Sequence, residues 1–410
     1  MVAQGDCPRF PRQELRQKPP VRDRIAISNN NKLNSTDQSF GATVEGEFML
    51  LCPALDPRQT PNGSTALYTG APIPFVRANA LAPFVSFLNT IGAPVDRLLR
   101  QGQLSHDLLH DPEALMPLIL GYRFLEMAAR KEQMEDIGVV VGQHSSAFDL
   151  GRYGAALQGV PTVYEYLQNG VRLIGDHSSG TRLWLKLEGD ALRLNQYLTG
   201  PPGPGRCMAD LYPLVITINT LRNMIAPTWS PGEVRLLAGD EVLLGDRGVF
   251  GDALLITGQR HSSFTIPRSL LQLPVRSQGA KATPATPLMP VSSRPMPADF
   301  KTSAEQLIAT LLVDGHLGIL TTAEAAGMSP RTLQRRLAEA GVSYSGLVAA
   351  TRLRMAKTWL TKSDLPISEI AATLGYNEAS NFARAFRRET GLSPAAYRRS
   401  PAHDSAPRRP

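Results

Sequence analysis

Cysteine is scarce: Cys7, Cys52 and Cys207 are the only three in 410 residues, widely separated and never arranged as Cys-x-x-Cys. That excludes a disulfide scaffold or a clustered-thiolate zinc site and fits a reduced, cytoplasmic compartment. Long apolar runs are missing as well. No stretch of about 18 apolar residues is present to span a membrane, and no basic segment followed by an apolar core opens the chain, so neither a span nor a secretory signal is expected. There is no Gly-x-Ser-x-Gly elbow and no paired metal-type carboxylate motif. Two near-misses reinforce this. His106 and His110 stand at i, i+4, the spacing that turns two imidazoles to one helix face for zinc, but no third ligand accompanies them. Gly200-Pro-Pro-Gly-Pro-Gly205-Arg206-Cys207 approaches a phosphate loop, yet Arg replaces the lysine, Cys replaces Ser/Thr, and the prolines remove backbone donors. No enzyme activity, cofactor or metal is expected.

What is present is a chain at 42% hydrophobic and 19% charged, enough for two or three domains with real cores. The net charge of +7 is unevenly spread. Residues 300–400 hold 13 Lys+Arg against 8 Asp+Glu, while residues 71–299 hold 20 against 20. A basic excess confined to one end is the footprint of a polyanion-binding part.

Along the chain, residues 1–70 read as a largely disordered arm rich in Pro, Asn, Gln, Ser and Thr, with a short apolar island at Phe48-Met-Leu-Leu51. Residues 73–275 form a second unit. Phe75 to Ile91 suggests a helix with a break or kink at Pro83, and Leu115 to Lys131 a clear helix; others fall at Gly151 to Gln158, Val163 to Ile174 and Cys207 to Ile225. Pro161-Thr162 supplies the stop and start between two of these. Arg182 to Glu188 and Leu192 to Leu198 alternate apolar and polar residues about Gly189-Asp190, which predicts a β-hairpin, and shorter strands are expected at Val234 to Leu237 and Ala253 to Ile256. Residues 276–299 contain five prolines, Pro284, Pro287, Pro290, Pro295 and Pro297, and read as a semi-extended linker. Residues 401–410 read as a disordered tail.

Residues 300–400 carry two similar units, Ala323-x-x-x-Gly327 and Ala371-x-x-x-Gly375. In the first, Thr321 and Glu324 suggest a capping box, Gly327 ends the helix, and Ser329-Pro330 caps a second helix that stops at Gly341. In the second, Ile367, Ile370, Ala371 and Leu374 recur at helical spacing before Gly375, and Glu378 to Thr390 is the next helix, stopped by Gly391. The second helix of each unit is two-faced. Leu333 and Leu337 oppose Arg331, Gln334 and Arg335; Phe382 and Phe386 oppose Ser380, Arg384 and Arg387. Arginine forks match guanine edges and phosphates, and a glutamine amide reads adenine, so both basic faces suit a DNA major groove. Between them Tyr344 to Leu360 reads as one helix of roughly 25 Å at about 1.5 Å per residue. With its flanking units it would hold the reading helices about one DNA turn, roughly 34 Å, apart.

This stretch resembles the DNA-binding domain of the AraC/XylS family of bacterial transcription regulators over about Ser303 to Arg399. The most specific likeness is Ile367-Ser-Glu-Ile-Ala-x-x-x-Gly-Tyr376, Asn381-Phe-Ala-Arg-Ala-Phe-Arg-Arg388 and Gly391-Leu-Ser-Pro394-Ala-Ala-Tyr397-Arg398. The resemblance implies base contacts from Arg331, Gln334, Arg335, Ser380 and Arg384. Ala379 departs from the family pattern, where a polar residue is common. Arg387, Arg388, Arg398 and Arg399 are expected to hold phosphates, which sets register and salt dependence without specifying sequence. Residues 73–275 resemble the arabinose-binding-type domain of the branch that includes regulators of ornithine use, through Leu150-Gly-Arg-Tyr-Gly154, the helix after Pro161, the hairpin and Trp229-Ser-Pro-Gly-Glu-Val234. That label does not establish a sugar as ligand.

The expected fold is therefore an α+β N-terminal sensor domain followed by an all-α DNA-binding domain with two helix-turn-helix motifs. The expected function is a sequence-specific transcription regulator, an effector-responsive activator and homodimer, with double-stranded DNA, an unidentified small molecule and RNA polymerase as partners. Trp184, Tyr197, Tyr212 and Trp229 are candidates to line the effector pocket. Two alternatives stand beside this reading. One is a regulator whose upstream domain only dimerises. The other is a DNA-alkylation repair protein with a cysteine methyl acceptor, for which the three cysteines offer no clustered zinc site.

Overall fold

The structure is a computed structural model that describes residues 71–239, 247–274, 295–313, 315 and 317–399. The arm at 1–70, the tail at 401–410 and most of the Pro-rich linker lie outside the described residues.

The first part is built from β1 (Phe75–Arg77), α1 (Ala82–Thr90), α2 (Val95–Gln101), β2 (Leu115–Pro117), α3 (Leu118–Glu132), α4 (Ile137–Gln143), α5 (Gly151–Leu157) and α6 (Val163–His177). The hairpin β3 (Thr181–Glu188) and β4 (Ala191–Leu198), the long α7 (Pro204–Met224), and β5 (Glu233–Arg235), β6 (Leu254–Ile256) and β7 (Ser262–Pro267) complete it. The strands form a two-stranded antiparallel pair, β1 with β2, and a five-stranded sheet in the order β3-β4-β7-β5-β6. This is the expected α+β arrangement, with helices packed on a mainly antiparallel sheet.

Several differences from the sequence reading have local causes. The helix expected from Phe75 begins only at Ala82, so the break falls just before Pro83. That proline occupies the first turn of α1, where its missing N–H costs nothing, and Phe75 to Arg77 is extended because it pairs with β2, Val76 opposite Met116. For the same reason the helix expected from Leu115 starts only at Leu118. Strand β7 lies at the centre of the sheet, between β4 and β5. It escapes periodicity because Ser262 and Ser263 are fully buried beside Phe264. Strand β4 is covered on both faces, so its polar alternation is a buried network. Arg193, 4% exposed, reaches Glu188 at 2.7 Å and Glu233 at 2.8 Å. The hydrogen bonds from Arg193 and Lys186 pull the Glu188 carboxyl down to about 2. Helices α4 and α7 touch along glycine: a Cβ at Gly138 would sit 2.2 Å from the Met208 carbonyl.

The second part is all helix: α8 (Phe300–Val313), α9 (Ile319–Ala325), α10 (Pro330–Glu339), α11 (Tyr344–Lys362), α12 (Ile367–Thr373), α13 (Ala379–Thr390) and α14 (Pro394–Arg399). Turn glycines Gly327, Gly341, Gly375 and Gly391 all take φ between 69° and 77°, the left-handed conformation that stops a helix. The capping box expected at Thr321 does not form. Helix α9 starts one turn earlier in register, with Gly318 as N-cap, and the Thr322 hydroxyl donates to the Gly318 carbonyl at 2.7 Å.

Two buried clusters divide the apolar residues. One runs from the first part continuously into α8, α9, α10 and the start of α11. The other contains Ala356, Leu360, Ile370, Ala371, Leu374, Phe382, Phe386 and Tyr397. The first helix-turn-helix unit thus shares its core with the upstream domain, and the second has a core of its own.

Candidate nucleic-acid interface and sensor cavity

Helix α10 is positioned by its cap and its buried face. Ser329 Oγ accepts from the Thr332 N–H at 3.2 Å, and Pro330 fits the first turn. Leu333 and Leu337 are buried while Arg331, Gln334 and Arg335 are exposed, with Arg335 paired to Glu339 at 2.7 Å. Arg336 faces inward. Its guanidinium lies 3.8 Å from the centroid of the Phe300 ring and donates to the Ala71 carbonyl. The sequence reading gave Arg336 no role; its position three residues after Leu333 and next to Leu337, on the apolar face of α10, was the available signal that it belongs to the buried stripe.

Helix α13 is held by a chain of rings. Tyr376 to Phe382, Phe382 to Phe386 and Phe386 to Tyr397 have centroids 5.5, 5.7 and 5.2 Å apart. Ser380, Arg384, Arg387 and Arg388 are exposed on the opposite side. Ser380 donates to Glu378 at 2.9 Å, Arg384 to Asn381 at 2.6 Å, and Arg388 pairs with Glu389 at 3.2 Å. Ala379 is the first helical residue and exposed. The last helix separates its two arginines: Arg399 is exposed, whereas Arg398 is half-buried and donates to the Leu365 carbonyl at 2.6 Å. Arg398 ties α14 to the turn before α12.

The first reading unit is docked on the upstream domain through α3. Arg123 meets Glu324 of α9 at 2.7 Å, and a Cβ added at Gly327 would lie 3.2 Å from Ile119. On the neighbouring edge the Ile73 N–H donates to Ser303 Oγ of α8 at 2.9 Å. The adjoining face of α3 lines a cavity of about 120 Å³ through Leu118, Gly121, Tyr122 and Leu125.

Of the four aromatics expected to line a pocket, Tyr212 lines this cavity. Its ring sits 4.7 Å from Phe84, and burial pushes its hydroxyl pKa upward. The other three are elsewhere: Trp184 and Tyr197 alternate along their strands with the cavity-lining Leu183, Gln196 and Leu198, and Trp229 lies in the turn between α7 and β5. Trp184 packs on His261 at 4.9 Å, Tyr197 lies under Arg206 at 5.1 Å, and Trp229 packs against the main core. The cavity instead gathers Tyr122, Tyr153, Tyr166 and His177. A tyrosine on an otherwise apolar helix face, as Tyr122 is in α3, was the available signal. His177 is 6% exposed and stacks on Tyr153 at 5.1 Å. Burial, helped by the charge of Arg77, lowers its pKa to about 4, so the ring is neutral at ordinary pH. Just behind the wall, Gln196 donates to the Asp210 carboxylate at 3.1 Å and Ser262 donates to its other oxygen. Burial raises Asp210 to about 6.

The two near-miss motifs have structural roles. His106 and His110 have ring centroids 5.4 Å apart and His106 faces Asp96 at 3.5 Å; among the described residues no group of three metal-capable side chains forms. In the glycine-proline loop, Arg206 donates to the Gly200 carbonyl at 3.2 Å and closes the loop on itself. Among the described residues no helix is long and apolar enough to cross a membrane.

Comparison with known proteins bears on both parts. Residues 322–400 match a helix-turn-helix domain family, and residues 92–275 match the arabinose-binding domain of AraC transcription regulators. The chain is similar to the HTH-type transcriptional regulator VirS of Mycobacterium tuberculosis, 26% identical over 333 residues, covering 79% of this chain and 96% of that protein. It is 45% identical over 73 residues to the ornithine utilization regulator of Pseudomonas aeruginosa, covering 18% of this chain and 22% of that protein. Among solved structures, the transcriptional regulator CdpR of Pseudomonas aeruginosa aligns over 75% of this chain and 97% of its own, at 22% identity and a TM-score of 0.33. The paired reading helices, the α+β domain upstream and both family matches agree: this chain belongs to the AraC family of transcription regulators, an arabinose-binding-type ligand domain joined to a helix-turn-helix DNA-binding domain.

Proposed function

We propose that the protein is an effector-responsive activator that works as a homodimer on two DNA sites, recruiting RNA polymerase when its effector is bound. Arg331, Gln334 and Arg335 read bases from α10, and Ser380 and Arg384 read them from α13, while Arg387, Arg388 and Arg399 hold phosphates. Support comes from their exposure opposite the buried Leu333, Leu337, Phe382 and Phe386. Helix α11, at 19 residues, spans roughly 28 Å at about 1.5 Å per residue, a length suited to placing two helices in successive major-groove segments.

The observation that carries effector response is the double use of α3. One face lines the cavity and the other touches Glu324 and Gly327 of the first reading unit. A molecule that changes the seating of Leu118 or Tyr122 acts on a rigid rod whose adjoining face is the reader's dock. It shifts the population of DNA-competent states by its differential affinity for them. An upstream domain that only dimerises would have no need of this arrangement. Nuclease protection by the full chain tests the reading. A discrete tract with two half-sites, altered in extent or affinity by a cavity ligand, is expected, and protection of no discrete tract overturns it.

A further inference from the structure

The cavity also bears on the chemistry of its ligand, an inference that rests on reading it as the effector site. None of its described lining residues is Asp, Glu, Lys or Arg. The nearest buried charges are engaged already: Asp210 by Gln196 and Ser262, and Arg77 by the carbonyls of Asp176 and Glu113 at 3.1 and 2.7 Å. A carboxylate, phosphate or ammonium placed here would lose its hydration with no counter-charge to replace it, at a cost of several kcal/mol. Amino acids and organic acids are disfavoured on that ground.

A sugar fails for a different reason. Each buried hydroxyl needs a partner, and the polar groups of the wall are largely committed. Tyr122 donates to the Thr199 carbonyl at 2.9 Å, Tyr153 to the Gly170 carbonyl at 3.3 Å, Thr217 to the Pro213 carbonyl at 2.7 Å, and Thr181 to Ser178 at 2.8 Å. Two side chains of the wall carry a buried polar atom with no hydrogen-bond partner, His177 at Nδ1 and Tyr212 at its hydroxyl. The Tyr212 hydroxyl has Ser145 beside it, which leaves His177 Nδ1 as the atom a ligand would satisfy. The volume, about 120 Å³, is somewhat below the roughly 150 Å³ of an apolar cavity known to take benzene in another protein.

We propose that the cavity binds an uncharged, compact and mainly apolar molecule, about one six-membered ring in size, whose single hydroxyl pairs with His177 Nδ1. A hydroxyl both donates and accepts, so it suits either neutral tautomer of the ring. Simple phenols and cyclic alcohols are the class; arabinose, ornithine and benzoate are outside it.

The test uses the full chain with phenol, cyclohexanol, toluene, L-arabinose, L-ornithine and benzoate, read by calorimetry and by nuclease protection of bound DNA. Phenol and cyclohexanol are expected to bind, arabinose, ornithine and benzoate are not, and phenol is expected to bind roughly tenfold more tightly than toluene through its one extra hydrogen bond. His177→Leu should erase the preference of phenol over toluene while leaving toluene binding within about twofold. Should that variant fail to fold, the wild type still decides. The fluorine resonance of 4-fluorophenol should broaden on binding and be restored by phenol but not by arabinose or benzoate. Binding of arabinose, ornithine or benzoate in place of phenol, or binding of none of the six, overturns the proposed class. Phenol binding without any change in the DNA footprint would instead keep the class and overturn the effector reading.

Discussion

Arg335 and Arg336 are neighbours in the chain with opposite surroundings: the side chain of the first is 54% exposed and pairs with Glu339, while the second is 2% exposed and lies over the Phe300 ring. A helix advances 100° per residue, which suffices to carry consecutive arginines from the reading face to the docking face. Their alanine variants should therefore separate two quantities. Arg335→Ala is expected to leave the melting temperature within about 2 °C of wild type but to cost roughly 1 to 3 kcal/mol in specific DNA binding, with readout relaxed at one base position. Arg336→Ala should destabilise the fold by roughly 2 to 4 kcal/mol, since it removes a buried cation–π contact and a charged hydrogen bond together. Equal losses of Arg335→Ala on specific and random DNA would reject its assignment as a base reader.

Gly327 sits at the dock between reader and α3 under two constraints. Its φ is +69°, and a Cβ there would come within 3.2 Å of Ile119. Gly327→Ala is expected to cost roughly 1 to 3 kcal/mol from backbone strain and crowding combined. Ile119→Ala relieves the crowding alone, so the double variant should be more stable than the sum of the two single effects implies. Strict additivity in denaturant melts would mean that the two residues are not in contact in solution.

Phe386 belongs to the small core that serves only the second reading unit. Phe386→Ala should cost that unit roughly 3 to 5 kcal/mol, the usual loss for a buried ring. The first unit shares its core with the upstream domain and should stay folded. Protection on the operator is then expected to shrink to one of the two groove segments. Loss of both together would show that the units fold as one.

How much of this was legible beforehand follows the range of the interactions involved. Ser329, Pro330, Gly341, Gly375 and Gly391 act within one helical turn, so the reading helices could be delimited from sequence and lie where their caps put them. Partners far along the chain are invisible to such rules. Glu324 was given to a capping box because Thr321 is three residues away, but its partner is Arg123, about two hundred positions earlier. Arg398 bonds the Leu365 carbonyl for the same reason. The cavity was the least legible feature. Its walls come from α1, α3, α5, α6, α7 and the sheet, and no local pattern announces that Tyr122, Tyr153 and His177 converge.

Asp210 offers a prediction in which the sign is decisive. Its carboxyl is raised from 3.8 to about 6 by burial, so the folded state holds its proton more tightly than the unfolded one. The stability it contributes is complete below about pH 4 and lost as the pH rises through about 6. Over that rise the loss amounts to roughly 3 kcal/mol, at about 1.4 kcal/mol per pKa unit. His177, lowered to about 4, works the other way over much the same range, which flattens the profile of the wild type. Asp210→Asn removes only the first contribution, since the amide can accept from Gln196 and donate to a rotated Ser262 hydroxyl. The stability of the variant relative to wild type should therefore climb between pH 4 and pH 6 and level off above about pH 7. A difference between the two proteins that stays constant from pH 4 to pH 8 in denaturant melts would mean that Asp210 titrates alike folded and unfolded, and that its buried setting imposes no cost on the charge.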